Sequence, residues 1–304
     1  MSELDQPARG LQTWKLTVAY DGTEFSGWQV QPGERTVQGE LQGALGRVTG
    51  ERPLPQGSGR TDAGVHALGQ VASFELSAPI PAGNLQMALN RTLPAAIRVV
   101  EARRVRRGFH ARHLAVAKTY EYRVFQEAIC PPFLARYVHG CTWPMNLEAL
   151  QEAARHFVGE HDFLSFAATD PDLETRRGGK EVDSQVSKSK PGAPGHGGGG
   201  EEEDEEGSVL PGKGAVRRIF SSEWEQEESE TGRMLIYRVR GNGFLHHMVR
   251  NLVGTMLDVG RGRTSANEMP GIVAARARAA AGPTAPAQGL FLRYVEYPEG
   301  WELD

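Results

Sequence analysis

The sequence predicts an α+β protein built from two similarly laid-out halves, and three observations carry that prediction. Several short segments alternate apolar and polar residues with period 2. Others repeat apolar residues at helical spacing behind a capping side chain. The two kinds interleave along both halves of the 304 residues. After a polar tail (1–13), Trp14, Leu16, Val18 and Tyr20 alternate with Lys15, Thr17 and Ala19, as on a strand with one buried face. Thr36 is placed to cap a helix whose Val37, Leu41, Ala44, Leu45 and Val48 share one stripe, closed by Gly50. A strand over 71–76, a short helix through Leu85 and Leu89 ended by Pro94, and a strand over 97–100 complete the first half.

The second half repeats the alternation. Tyr120, Tyr122 and Val124 mark a strand, and Asn146 caps a helix running through Leu147, Leu150, Ala154, Phe157 and Val158 to Gly159. Strands are expected over 219–224 and 234–239, then a helix from Phe244 to Val259 stopped by Gly260. Ser265 and Glu268 form a capping box for one more helix, and 290–297 is a closing strand. The halves are expected to divide at 113/114. The second is interrupted by residues 176–214, rich in Gly, Ser, Pro and Lys, which cannot bury enough apolar surface to offset its ordering entropy and reads as a disordered insertion.

With 39% apolar and 24% charged residues the chain can bury a core. It shows neither a membrane-length apolar run nor the apolar core of a secretory signal, so a soluble, cytoplasmic protein is expected, with no membrane partner. Cys130 and Cys141 make no CxxC pair and fit a reducing compartment. The net charge of -4 hides an asymmetry. Residues 201–206, EEEDEE, contribute -6, so the remainder sums to +2; from Arg98 to Arg123 eight Lys or Arg residues face two Glu. Such a basic block suits phosphates, although a solvated charged face has the same appearance.

Chemistry concentrates in GSGRTDAGVHALGQ, residues 57–70, placed just before the strand at Val71. A glycine-rich loop adopts conformations closed to other residues and lets a substrate approach its backbone. Arg60 stands two positions from Asp62, near enough for a guanidinium to sit against the carboxylate and keep it ionised, ready to act as nucleophile or base. Taken alone, an Asp followed by Ala-Gly is usually just a turn or cap residue.

The run GRTDAGVHA resembles the active-site motif of the TruA family of tRNA pseudouridine synthases. Phe109-His110-Ala111-Arg112 followed by Lys118-Thr119-Tyr120-Glu121-Tyr122 resembles that family's FHAR and (K/R)xYxY segments. Residues 241–254, GNGFLHHMVRNLVG, resemble its FLHHMVRNLVG helix, and APAQGL, 285–290, its APAxGL segment. The four blocks stand in the family's order, and the resemblance runs from about Trp14 to Tyr297.

The resemblance implies two RRM-like halves whose antiparallel sheets join around a central catalytic cleft. It implies isomerisation of uridine to pseudouridine at the 3′ side of the anticodon stem-loop of tRNA, by two paired chains that share one RNA. Asp62 would start cleavage of the N1–C1′ bond, by attack on the sugar, by attack on the uracil ring or by removal of a sugar proton. Tyr120 would stack on the extruded base. Arg250 would pair with Asp62, Arg60 would lie by the flipped nucleotide, and Leu290 would line the pocket. His110 and Arg112 of the FHAR block would contact the RNA substrate, Arg112 meeting phosphates together with the cluster 103–107. No cofactor is implied, since an isomerisation needs no external energy or redox change.

A metal is not expected either. His246 and His247, adjacent on the anticipated helix, would point about 100° apart, and no cysteine or carboxylate completes a set with them or with His110 and His113. His66 is expected to brace its loop. Two rival readings are a hydrolase of nucleoside N-glycosidic bonds, which would release free base, and a non-catalytic RNA-binding module of RRM-like halves. The absence of an RNP1-type run counts against the module.

Overall fold

The computed structural model describes residues 10–168, 214–229 and 232–303. Most of the polar tail and all but the last residue of the expected insertion lie outside the described residues. The strands are β1 (Gln12–Tyr20), β2 (Gln56–Gly57), β3 (His66–Leu76), β4 (Ile97–Val105), β5 (Ala117–Phe125), β6 (His139–Gly140), β7 (Gly159–Asp162), β8 (Val216–Ser229), β9 (Gly232–Gly241) and β10 (Leu290–Glu296). The helices are α1 (Val37–Thr49), α2 (Ala82–Thr92), α3 (Leu147–Arg155), α4 (Met248–Gly260) and α5 (Met269–Ala274).

All strands belong to one sheet, ordered β4-β1-β3-β10-β5-β9-β8-β7, with β2 beside β3 and β6 beside β5. Strands from the first 105 residues occupy one side and β5 to β9 the other. The last strand, β10, is inserted between them. It pairs antiparallel with β5 and parallel with β3, through Phe291 opposite His66 and Leu292 opposite Ala67. The architecture is α+β as expected, but the joint between its halves is a parallel pair, which strand-by-strand reading cannot reveal.

The anticipated elements form for the anticipated reasons. Thr36 Oγ1 accepts from the Gly39 N–H at 3.3 Å and starts α1, whose Val37, Leu41, Ala44 and Leu45 are buried. Asn146 Oδ1 accepts from the Ala149 N–H at 3.0 Å and starts α3. Trp14, Leu16 and Val18 are buried on one face of β1, each such side chain contributing about 1.5–3 kcal/mol on removal from water. Trp224 and Tyr237 do the same across the β8–β9 pair, with ring centroids 5.1 Å apart.

Several boundaries move. β1 begins two residues earlier than expected, β3 five earlier, and β4, β8 and β9 extend beyond their apolar cores because ladder pairing carries polar residues along. α3 stops at Arg155, and the residues to Gly159 turn into β7, a strand not anticipated from the sequence. The Ser265–Glu268 capping box is present, yet it opens a single 3₁₀ turn before the six-residue α5.

Candidate active site

The loop between β2 and β3 carries Asp62 and is held rigidly from below. The Thr61 carbonyl accepts from the Trp28 N–H at 3.0 Å, and its hydroxyl lies 2.7 Å from that of Tyr20. Gln70 on β3 accepts from Ser58 Oγ at 2.6 Å and donates to the Gly59 carbonyl at 2.9 Å. Gly27, at φ +86°, is where the neighbouring loop passes closest: a Cβ there would lie 2.6 Å from the Thr61 carbonyl oxygen. The Val65 N–H closes a tight turn onto the Asp62 carbonyl at 3.1 Å. These buried residues fix the backbone while the Asp62 side chain faces a cavity of about 1080 Å³.

That cavity is lined on one side by Arg60, Asp62 and Val65, and on the other by Lys118, Tyr120, Phe244, His246, His247 and Leu290. Arg250, from the first turn of α4, places Nη1 3.1 Å from Asp62 Oδ2 and donates from Nε to the Ala285 carbonyl at 2.8 Å. The Ala285 N–H returns a hydrogen bond to the Arg250 carbonyl at 3.1 Å, so the 283–285 segment and α4 clamp each other. Tyr120 is buried to 8% exposure, with its ring edge-on to Phe244 at 5.0 Å. Leu290 opens β10 opposite Tyr122, whose hydroxyl donates to the Pro286 carbonyl at 2.8 Å.

The histidines depart from expectation. α4 begins at Met248, not Phe244, and His247 precedes it at φ 59°, ψ 1°, one of two non-glycine residues with positive φ among the described residues. The two rings therefore do not diverge as adjacent helical residues would. Their centroids lie 4.0 Å apart; His246 Nε2 is 3.4 Å from Asp62 Oδ1 and His247 Nε2 is 3.3 Å from Oδ2. A left-handed non-glycine residue costs of order 1–3 kcal/mol and is characteristic of functional sites. Helical periodicity counted from Phe244 conceals this convergence, and, contrary to expectation, a carboxylate, Asp62, does complete a donor set with the two imidazoles.

Burial alone would push the Asp62 carboxyl up. The hydrogen bond from His246, the charges of His247 and His246 and the hydrogen bond from Arg250 outweigh it and hold the group below the usual carboxylate range. Burial pushes His247 down, against the pull of Asp62 and helped by the nearby His246, Arg250 and Arg278. The site presents an ionised carboxylate with the Arg250 guanidinium against its Oδ2.

The other anticipated residues sort by position. Arg60 lines the cavity, and Asp62 is met across the cleft by Arg250 at 3.1 Å and by the two imidazoles at 3.3 and 3.4 Å. Arg112 lines a smaller adjoining cavity with Lys118, Arg217 and Asn242. His110 accepts at Nδ1 from the Arg112 N–H at 3.1 Å and packs on His113, shaping its own turn outside the linings of both cavities. Arg103 is bound to Glu101 and Glu302 on the outer strand β4. His66 is buried, with Nδ1 accepting from the Gly22 N–H at 3.0 Å and Nε2 facing the Arg136 carbonyl at 3.0 Å. That pattern requires the neutral Nε2–H tautomer, so its 3.3 Å approach to Asp21 is not an ion pair.

Residues 16–113 and 207–298 match the family model described as tRNA pseudouridine synthase. The chain belongs to that family. A "tRNA pseudouridine synthase A" from Solibacter usitatus is 44% identical over 285 residues, 93% of this chain and 98% of that protein. Proteins of the same name from Halalkalibacterium halodurans and Moorella thermoacetica are 41% and 39% identical, covering 90% and 93% of this chain and 89% and 98% of their own. The chain is a tRNA pseudouridine synthase, an isomerase of uridine in tRNA. Its relatives match on both sides of the cleft, the side that carries Asp62 and the side that carries Arg250.

Proposed function

We propose that Asp62 is the catalytic carboxylate of this synthase, acting on uridines at the 3′ side of the anticodon stem-loop. The observation that carries the reading is the ionised Asp62 at the centre of the cleft, fixed by Arg250 and within one cavity of Tyr120. Uridine has to leave its stack for the N1–C1′ bond to become reachable, and a half-open cavity beside a buried aromatic ring supplies a place for the base. Tyr120 and Leu290 would give the uracil apolar walls, and Arg60, which lines the same cavity, would lie by the flipped nucleotide. The carboxylate starts the cleavage, the uracil turns within the cavity, and C5 joins C1′ with loss of the C5 hydrogen. Arg250 orients the carboxylate and maintains its charge throughout.

Arg112, with Lys118 and Arg217 at the adjoining cavity, is suited to the phosphates that flank the extruded nucleotide. On this reading residues 14–113 and 114–304 act as two halves that grip the RNA from either side. Pairing of two chains around one tRNA belongs to the same proposal and rests on the family resemblance. So does a cytoplasmic location, with which the absence of any membrane-length apolar helix among the described residues agrees.

The test is release of tritium from tRNA labelled at uracil C5, followed by mapping of pseudouridine in the product. Release with modification confined to the anticodon stem-loop supports the reading. Modification elsewhere in the tRNA removes the positional part, and formation of free uracil would favour a glycosidic hydrolase.

A further inference from the structure

Asp62, His246 and His247 form a set of three ligand-bearing side chains whose donor atoms all lie within 4.8 Å of one another. We propose that this set is an inhibitory site for a divalent ion of the zinc class, which on binding withdraws the catalytic carboxylate from the reaction. The inference rests on the reading of Asp62 as the catalytic group for its inhibitory part, and on geometry alone for binding.

The geometry suits such an ion. Bonds of about 2.0–2.1 Å from tetrahedral zinc to nitrogen or oxygen put neighbouring donors about 3.3–3.4 Å apart. His246 Nε2 stands 3.4 Å from Asp62 Oδ1, and His247 Nε2 stands 3.3 Å from Oδ2. The first separation matches one edge of a coordination tetrahedron built on Oδ1; the second is to the other carboxylate oxygen, and a small turn of the His247 ring, whose donor lies within 4.8 Å of the other two, completes the set. Both imidazoles keep a partly exposed side chain, 48% and 31%, so an ion can reach them from the cavity, and the fourth position opens into that cavity. Two imidazoles and one carboxylate select zinc and its later first-row neighbours over magnesium, which prefers oxygen donors and waters.

The left-handed backbone at His247 is what turns the second ring onto the same carboxylate. Arg250 need not leave: Ala285 anchors its Nε, and it can hold Asp62 Oδ2 while the ion takes Oδ1. Its charge, and that of Arg278 near His247, oppose the ion. Affinity is therefore expected in the micromolar range, far weaker than a structural zinc site. A carboxylate bound to the ion can neither attack nor accept a proton, so occupancy stops the isomerisation without displacing any part of the fold.

The experiment titrates Zn²⁺ into the full chain by calorimetry without RNA, and Co²⁺ by visible absorption, for the native protein and for His246→Gln, His247→Gln and His113→Gln. The proposal expects one saturable ion per chain, an intense tetrahedral Co²⁺ band, and at least about tenfold weaker binding in the first two variants. The exposed His113 change should leave binding as it was, and thermal melting establishes that all variants are folded. In the presence of labelled tRNA, Zn²⁺ should stop tritium release and a chelator should restore it. No saturable binding, or binding equal in the His246 and His247 variants, overturns the site. Binding without loss of tritium release overturns its inhibitory role. A metal-free protein with no synthase activity would instead tell against the catalytic reading and leave the binding result standing.

Discussion

Arg250 Nη1 lies 3.1 Å from Asp62 Oδ2, a contact between residues 188 positions apart. The guanidinium is itself pinned by the Ala285 carbonyl at 2.8 Å. The Asp62 loop, α4 and the segment leading into β10 therefore meet in one chain of hydrogen bonds. The Asp62 carboxylate is held in place by residues from distant parts of the chain.

Arg250→Lys should lower kcat by about 10- to 100-fold while tRNA affinity changes little. A charged hydrogen bond is worth about 1.5–3 kcal/mol, and lysine cannot serve Ala285 and Asp62 with one planar fork. Single-turnover tritium release together with filter binding separates the two effects. An equal loss in affinity and rate would mean that Arg250 holds RNA instead of the carboxylate.

Tyr120→Ala should reduce kcat/KM by about 5- to 100-fold, from the roughly 1–3 kcal/mol that an aromatic platform gives a base. Tyr120→Phe, which keeps the ring against Phe244, should retain most of the activity. Steady-state rates on one tRNA decide it: a Phe variant as impaired as the Ala variant would assign the role to the hydroxyl.

Gly254→Ala should destabilise the protein by about 1–3 kcal/mol, the usual cost of forcing atoms into a packed site, and reduce kcat with it. A Cβ at Gly254 would fall 1.7 Å from the Pro283 carbonyl oxygen, so the 283–285 segment has to back away from α4 and take the Ala285 anchor from Arg250. Thermal melting and tritium release are expected to fall together. An active but less stable variant would uncouple the anchor from catalysis.

Glu121 provides the pH test. Buried on β5, it is bound by Arg123 at 2.8 Å, by Arg238 at 2.9 Å and by Arg293, joining β5, β9 and β10. Burial pushes its carboxyl up, but the hydrogen bonds from Arg238 and Arg123 and the charges of Arg123 and Arg293 prevail and hold it below the ordinary range. A lowered folded pKa stabilises above the unfolded value of about 4.3, and that stability is lost as pH falls through the folded pKa. Glu121→Gln should cost about 3 kcal/mol at pH 7, the low end for a broken buried pair because the arginines are partly exposed. In urea melts the gap between native and variant should narrow as the pH drops below 4. A gap independent of pH would show that the carboxylate is not ionised in the fold.

Much of this was legible in the residues because the signals are local. Thr36 and Asn146 cap the helices they were expected to cap, and the alternation around Trp14 and Tyr120 marks buried strand faces. The motif around Asp62 identified the loop, and the family resemblance supplied Arg250, which no local pattern could have joined to it. What escaped depends on tertiary geometry. The parallel pairing of β10 with β3 is set by where the chain returns after α5. The convergence of His246 and His247 depends on one left-handed residue that helical periodicity treats as part of α4. Arg103 reads as a phosphate ligand in sequence, yet Glu302, nearly two hundred residues away, takes its charge.

The most direct measurement compares native protein with Asp62→Asn for tritium release from C5-labelled tRNA, with RNA affinity measured on the same samples. The account predicts that release vanishes in the variant while affinity and melting temperature stay close to native. Substantial release by Asp62→Asn would contradict it, because the reaction would then proceed without the carboxylate on which the cleft is centred.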